Sequence, residues 1–199
     1  MRRVGQHSRR PVKKRVLVAC EGKTEFDYIE KVLAKAQDEY TFTRISVRNQ
    51  SALPNLIEDA KREEKYESLL TGDIVVIVTD RDSNKEADLE ALAAWAAQTR
   101  GKHKRIIAFS NPCFEFWLCL HFADNPPHSS PKHCIKELER HVGRYKKGNI
   151  QAKYFDPEIA VKRARFHAID HSGLQKWFDQ SGTTSMGEFV KLILGLQEP

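Results

Sequence analysis

Five acidic side chains fall where an apolar run gives way to a turn or a helix. Glu21 and Glu25 lie in RVLVACEGKTE, Asp80 and Asp82 in DIVVIVTDRDS, and Glu115 in SNPCFEFWLCLHF. Carboxylates gathered within a few ångström repel and raise one another's pKa, and a divalent cation relieves that cost. Magnesium suits such a set, because it takes hard oxygen ligands, keeps several waters and is held by one or two carboxylates together with substrate phosphates. The chemistry that follows is attack of water on a phosphodiester, with the ion stabilising the attacking and leaving oxygens. A phosphate cradle at Gly22-Lys23-Thr24 is excluded: the P-loop spacing requires glycine at position 17, where the chain has Leu17, and Glu21 would spoil an anion site.

These acids are separated by up to 94 positions, so the elements between them must bring them together. Short β-branched runs alternate with helical periodicity, which predicts a mainly parallel sheet flanked by helices. Strands are expected over residues 15–20, 41–47, 73–80 and 104–110. Helices are expected from Thr24, as cap, to about Tyr40, over 52–70 and over 86–99. Another should begin at Asn111-Pro112, with Asn111 as side-chain cap and Pro112 at the first helical position. After Phe122 the stretch ADNPPHSSP breaks the pattern, and helices are expected over 131–141, 157–169 and 186–196 with no further strand. The expected organisation is a basic arm (1–14), an α/β domain (15–122) and a helical extension packed on it (123–199). The strand order 2-1-3-4 places strands one and three side by side, so Glu21 and the Asp80-x-Asp82 pair meet at the carboxyl edge, where ligands bind in open sheets. Asn111 and Glu115 reach the same rim from one side.

The chain has 199 residues, 40% hydrophobic and 30% charged, which suits a globular domain. No apolar run approaches the roughly 20 residues of a membrane span, and none near the amino terminus suits a signal peptide; the expectation is a cytoplasmic protein without membrane association. Cys20, Cys113, Cys119 and Cys134 form no C-x-x-C pair and are expected to be reduced. His128, His133 and Cys134 match no common zinc spacing. The net charge is +6, yet the first fifteen residues hold seven basic side chains and no acid, which leaves the remainder at −1. A second zone, from Lys132 to Arg165, holds ten Lys or Arg and outnumbers its acids. Two positive zones favour a polyanionic partner. The residues read as contacting nucleic acid are Arg9, Arg10, Lys13, Lys14, Lys23, Arg81, Lys146 and Lys147.

VLVACEGKTE, VVIVTDRDS and SNPCFEFWLCLHF resemble the RloB-like family, a branch of Toprim-type proteins found in bacterial defence loci. YKKG and TSMGEFVKLIL match its closing segment more loosely. The resemblance implies a Toprim-like, Rossmann-like fold and a Mg2+- or Mn2+-dependent nuclease of anti-phage or abortive-infection function, cutting DNA or RNA, including transfer RNA, beside an ATPase partner. Glu21, Asp80 and Asp82 would hold the metal, Glu21 doubling as general acid or base, and Glu25 matches a second metal acid of related nucleases. Glu115 joins the catalytic set. Lys146 or Lys147 would be the basic group at the transition state, with Lys147 carried as the catalytic candidate. Thr79 departs from the bulky residue expected before Asp80, a change expected to alter packing more than ligation.

Each acid also has a plain reading taken singly: Asp82 as a turn former, Glu21 as a solvated loop acid, Glu115 as a first-turn glutamate favoured by the helix dipole. Glu115 is set among Phe114, Phe116, Trp117 and Leu118, where an unpaired carboxylate is expensive. His121 reads as a core residue. A competing function is a non-catalytic metal- or nucleic-acid-binding regulatory subunit of an ATPase complex. Receiver-like phosphoacceptors and haloacid-dehalogenase-like phosphatases share the acidic pocket but place their paired acids after the first strand, where Cys20 precedes Glu21 here.

Overall fold

The structure is a computed structural model describing residues 12–46, 52–81, 84–98, 102–168 and 179–197. The uninterrupted apolar runs form the inner strands: β1 (Lys14–Cys20), β3 (Ile74–Asp80) and β4 (Lys104–Asn111). A parallel strand, β2 (Tyr40–Arg44), lies outside β1, and a short strand, β5 (Thr183–Thr184), pairs antiparallel with β4. The order is β2-β1-β3-β4-β5.

Alternation along the strands divides the interior into two cores. Val16, Val18, Cys20, Val76 and Val78 face one side. There they meet α1 (Lys23–Val32), α4 (Phe114–Cys119), α5 (Pro131–Val142), α6 (Pro157–Ala164) and α7 (Met186–Leu194). Leu17, Ala19, Val75, Ile77 and Phe109 face the other side, covered by α2 (Leu53–Tyr66) and α3 (Glu86–Ala97). Fully buried Tyr28, Phe114, Phe116, Trp117 and Phe189 anchor the first core, each contributing about 1.5–3 kcal/mol by area removed from water. Under α3, Arg105 donates from Nε and Nη2 to the two oxygens of Glu64, at 2.8 and 2.6 Å, and from Nη1 to the carbonyl of Trp95.

Three expectations are corrected. The sheet has five strands, not four: Thr183 pairs with Asn111 and Thr184 with Ser110, an edge too short to read from alternation. That pairing keeps Asn111 extended, so it ends β4 and cannot cap a helix; a cis peptide joins it to Pro112, and α4 starts at Phe114 after Cys113. The first helix ends at Val32, because the chain must turn through the 3-10 segment Ala34–Asp38 to bring Tyr40 opposite Lys14, whose N–H donates to the Glu39 carbonyl. Gly22 holds that helix's cap position, and the Thr24 hydroxyl is used elsewhere. The remaining element ends move by a few residues; α6, for example, passes into a 3-10 turn at Arg165–His167.

The residues after 123 add α5, α6, β5 and α7 to the first core rather than forming helices alone. All four cysteines are free and buried, in keeping with the reduced thiols expected. Among the described residues no helix is long and apolar enough to cross a membrane.

Candidate acidic site at the carboxyl edge of the sheet

Parallel register fixes the first contact. Cys20 pairs with Val78, so the next residues, Glu21 and Thr79, leave adjacent strands at the same level. The Thr79 hydroxyl donates to Glu21 Oε1 at 2.9 Å. Asn84 Nδ2 lies 3.2 Å from the same oxygen, 2.9 Å from Thr79 Oγ1 and 2.6 Å from the Asp80 carbonyl, so one buried amide ties the end of β3 to Glu21. The threonine before Asp80 therefore acts directly on a candidate site residue. The residue expected to alter packing more than ligation thus also makes a polar contact with Glu21.

Asp80 shares its strand face with Val76 and Val78, opposite to Thr79, and meets a different set of acids. Its Oδ1 is enclosed and has no hydrogen-bond partner, and the same holds for Glu25 Oε2 and Glu115 Oε2. Burial, then Glu25, Glu115 and Glu21, push the Asp80 carboxyl well above the usual range against the pull of the Phe114 N–H. Burial first, then Glu115 and Glu21, raise the Glu25 carboxyl against its own backbone amide and Lys147. Glu25 folds back over Gly22, where an added Cβ would lie 2.7 Å from Glu25 Oε2, so the missing side chain makes room for the carboxylate. Glu115 is 2% exposed, held by α4 in the apolar setting its sequence neighbours foretold. The acids that bear on one another are thus Glu25, Asp80 and Glu115, with Glu21 beside them.

A loop after α5 covers this group. The Tyr145 hydroxyl donates to Glu115 Oε1 at 3.1 Å, and Lys147 Nζ lies 3.4 Å from the same oxygen. Burial works against the Lys147 charge, but Glu115 and Asp80 outweigh it and hold the ammonium pKa above its ordinary value. The Gly148 N–H donates to Thr24 Oγ1 at 2.7 Å, and Lys23 Nζ donates to the Gly148 carbonyl and to Asp27.

The sequence-derived candidates are thereby sorted. Glu21, Glu25, Asp80, Glu115 and Lys147 come together. Asp82, Arg9 and Arg10 lie outside the described residues. Lys23 sits at the site on the first turn of α1. Arg81 turns its Nη1 to the Asn84 carbonyl. Among the described residues no hydrogen bond or ion pair joins the Lys146 side chain to the acids, although its carbonyl accepts from Asn149. Lys13 and Lys14 are at the amino end of β1, about 20 Å of strand away from Glu21, and bind the Gln37 carbonyl and Glu39, so they do not flank the acids. The zinc alternative is also occupied by local bonds: His133 Nδ1 meets the Ser129 and Ser130 hydroxyls, His128 Nδ1 meets the Pro126 carbonyl, and Cys134 Sγ donates to the Pro127 carbonyl. His121 is buried as expected, 3.1 Å from the Tyr28 hydroxyl, and burial brings its pKa down to about 3.

Asn84 and Tyr145 were not anticipated, and Thr79 was noted only as a departure before Asp80. Their only sequence signals were nearness to Asp80 and to Lys147. Three buried carboxylate oxygens without partners, in groups that repel one another, are the donor chemistry of a hard divalent cation. As arranged among the described residues, however, no group of three His, Cys, Asp or Glu side chains is close enough to enclose an ion.

An α/β sheet protein with acids converging at the carboxyl ends of β1 and β3 and at the start of α4 is the class that the fold and site define. More narrowly, residues 16–193 match the model of the RloB-like protein family, and the chain belongs to that family. No curated protein and no solved structure matches it.

Proposed function

We propose that the chain is a metal-dependent nuclease of Toprim type that hydrolyses phosphodiester bonds in DNA or RNA. In this reading it is the effector of a bacterial anti-phage system and works with an ATPase partner. The observation that carries the reading is the set of enclosed, partnerless oxygens on Glu25, Asp80 and Glu115. Such a set is costly in isolation and is stabilised by Mg2+ or Mn2+.

In this reading Glu21, Glu25, Asp80, Asp82 and Glu115 are the carboxylates that would hold the cation. When bound, the cation supplies Lewis-acid polarisation of the phosphate and lowers the pKa of water. The chain's own residues do the rest. Glu21, oriented by Thr79 and Asn84, takes the proton from the attacking water. Lys147 and Lys23, at the rim, attract and orient the phosphate backbone. Tyr145 and the apolar residues around Glu115 limit access of bulk water.

The test uses the purified full chain with labelled single- and double-stranded DNA, RNA and transfer RNA, with Mg2+ or Mn2+, with and without the neighbouring ATPase. Cleavage by the wild type and none by Asp80→Asn is expected. Equal inertness of both proteins on every substrate with the ATPase present would refute the enzymatic reading, and cation binding without turnover would replace it with a regulatory subunit.

A further inference from the structure

Carboxylates repel phosphates, so a polynucleotide crossing the acids must be held through the phosphates to either side. Lys147, beside Glu115, and Lys23, on the first turn of α1, supply part of that hold from side chains 66% and 64% exposed. Arg44 is placed to supply another part. It is the last residue of β2 and pairs with Val18, which faces the first core; Phe42, two residues earlier, packs on the same core. Alternation therefore sets Arg44 on the same sheet face as Asp80, two strand spacings, about 10 Å, from β3. Its side chain reaches the turn after β1, where Nη2 donates to the Gly22 carbonyl at 3.2 Å, an acceptor shared with the Cys20 thiol. Arg15, Arg62, Arg105, Arg140 and Arg163 each pair with a carboxylate. Among the described residues no carboxylate pairs with Arg44, although it ends at the edge where the acids gather, and the residue is exposed. A guanidinium carries five N–H donors in a planar fork that matches phosphate, and the Gly22 carbonyl takes only one of its arms.

We infer that Arg44 is a phosphate-binding residue of the polynucleotide path: it holds a phosphate flanking the one that faces the acids, and the strand runs from the β2 side past Lys23 to Lys147. The inference rests on the nucleic-acid reading above and adds the course of the bound strand. It needs no divalent ion, because the charge of an arginine is permanent and lies beside the acids rather than among them. Turned to its own chain, the guanidinium braces the Gly22 peptide between Glu21 and Lys23. Turned outward, it offers the rest of its fork to the ligand.

The experiment follows the fluorescence anisotropy of labelled single-stranded DNA and RNA oligonucleotides titrated with the full chain in EDTA, across a series of monovalent salt concentrations. It is repeated in Mg2+ on an Asp80→Asn background, which keeps the strand intact. Arg44→Gln is expected to weaken binding about fivefold near 0.1 M salt and to reduce the slope of log affinity against log salt by about 0.7, the loss of one single-strand phosphate contact. Arg44→Lys keeps the charge and should restore the slope. Lys104→Gln removes one charge at the amino end of β4, on the opposite edge of the sheet, and should leave affinity and slope unchanged. Arg44→Gln with the wild-type slope, whether or not its affinity falls, or an equal loss in Lys104→Gln, overturns the Arg44 contact and leaves the nucleic-acid reading standing. Absence of oligonucleotide binding in both buffers before Arg44 is changed overturns that reading and the contact together.

Discussion

Asp80→Asn should make the cation-free protein more stable while removing its response to divalent ions. In the wild type, Asp80 Oδ1 is enclosed without a partner and is repelled first by Glu25, then by Glu115 and Glu21. An asparagine keeps the oxygen that accepts from the Phe114 N–H. It also removes the charge that Glu25 and Glu115 repel and puts N–H donors in place of a charged oxygen. Relief of a buried unsatisfied group is worth about 1–3 kcal/mol. For a chain of this size each kcal/mol moves Tm by about 2–4 °C. The pH dependence has a definite sign. The folded pKa of Asp80 is raised, so the wild type's penalty is absent below the unfolded value of 3.8, grows as pH rises through the folded pKa and is constant above it. The advantage of Asp80→Asn is therefore larger at pH 8 than at pH 5 and shrinks on acidification. Urea denaturation at pH 8 and pH 5, with and without Mn2+, measures it. Mn2+ should stabilise the wild type and leave Asp80→Asn unchanged. A variant that is less stable than the wild type at pH 8, or whose advantage grows as pH falls, would refute the account of crowded carboxylates.

Thr79→Val keeps the volume but removes the donor to Glu21. It should cost about 1 kcal/mol in urea denaturation and lower cleavage at saturating substrate more than it changes substrate affinity. Glu64→Ala leaves the Arg105 guanidinium, 10% exposed, without its two-pronged partner, and should destabilise by about 3–5 kcal/mol in the same assay while divalent-ion binding persists. His121 titrates at about 3 in the folded chain against an ordinary 6.5, so its contribution to stability is complete above pH 6.5 and is lost as pH falls toward 3. His121→Gln, which still offers the Tyr28 hydroxyl a partner, should flatten the stability profile across that window; an unchanged slope would show that His121 is not the titrating group.

Much of the site was legible because the sheet rule is strong. Apolar runs ending in Cys20 and Thr79 implied parallel strands with acids at one edge, and Glu115 among aromatic residues implied a buried charge. The misreadings have specific causes. Thr183 and Thr184 are only two residues of strand, specified by their partners Asn111 and Ser110 and not by local pattern. Asn111-Pro112 carries a correct helix-start signature, but ladder pairing held Asn111 extended and moved the helix to Phe114. Lys13 and Lys14 were grouped with the acids by charge alone, although β1 separates them by its full length.

Sequence by itself determined the two-sided α/β core, the strand exits that deliver Glu21 and Asp80, and the membership of Glu25 and Glu115 in the candidate set, because each of these follows from local pattern or short-range spacing, whereas Lys147 entered through the family resemblance alone. Tertiary structure alone decided how the acids divide. Alternation sends Thr79 and Asp80 to opposite faces of one strand, so Glu21 is bound by Thr79 and Asn84 while Asp80 meets Glu25 and Glu115. It also decided that residues 145–148 lie over those acids, a contact that spans 30 residues from Tyr145 to Glu115 and 124 from Gly148 to Thr24, beyond the reach of any local signal.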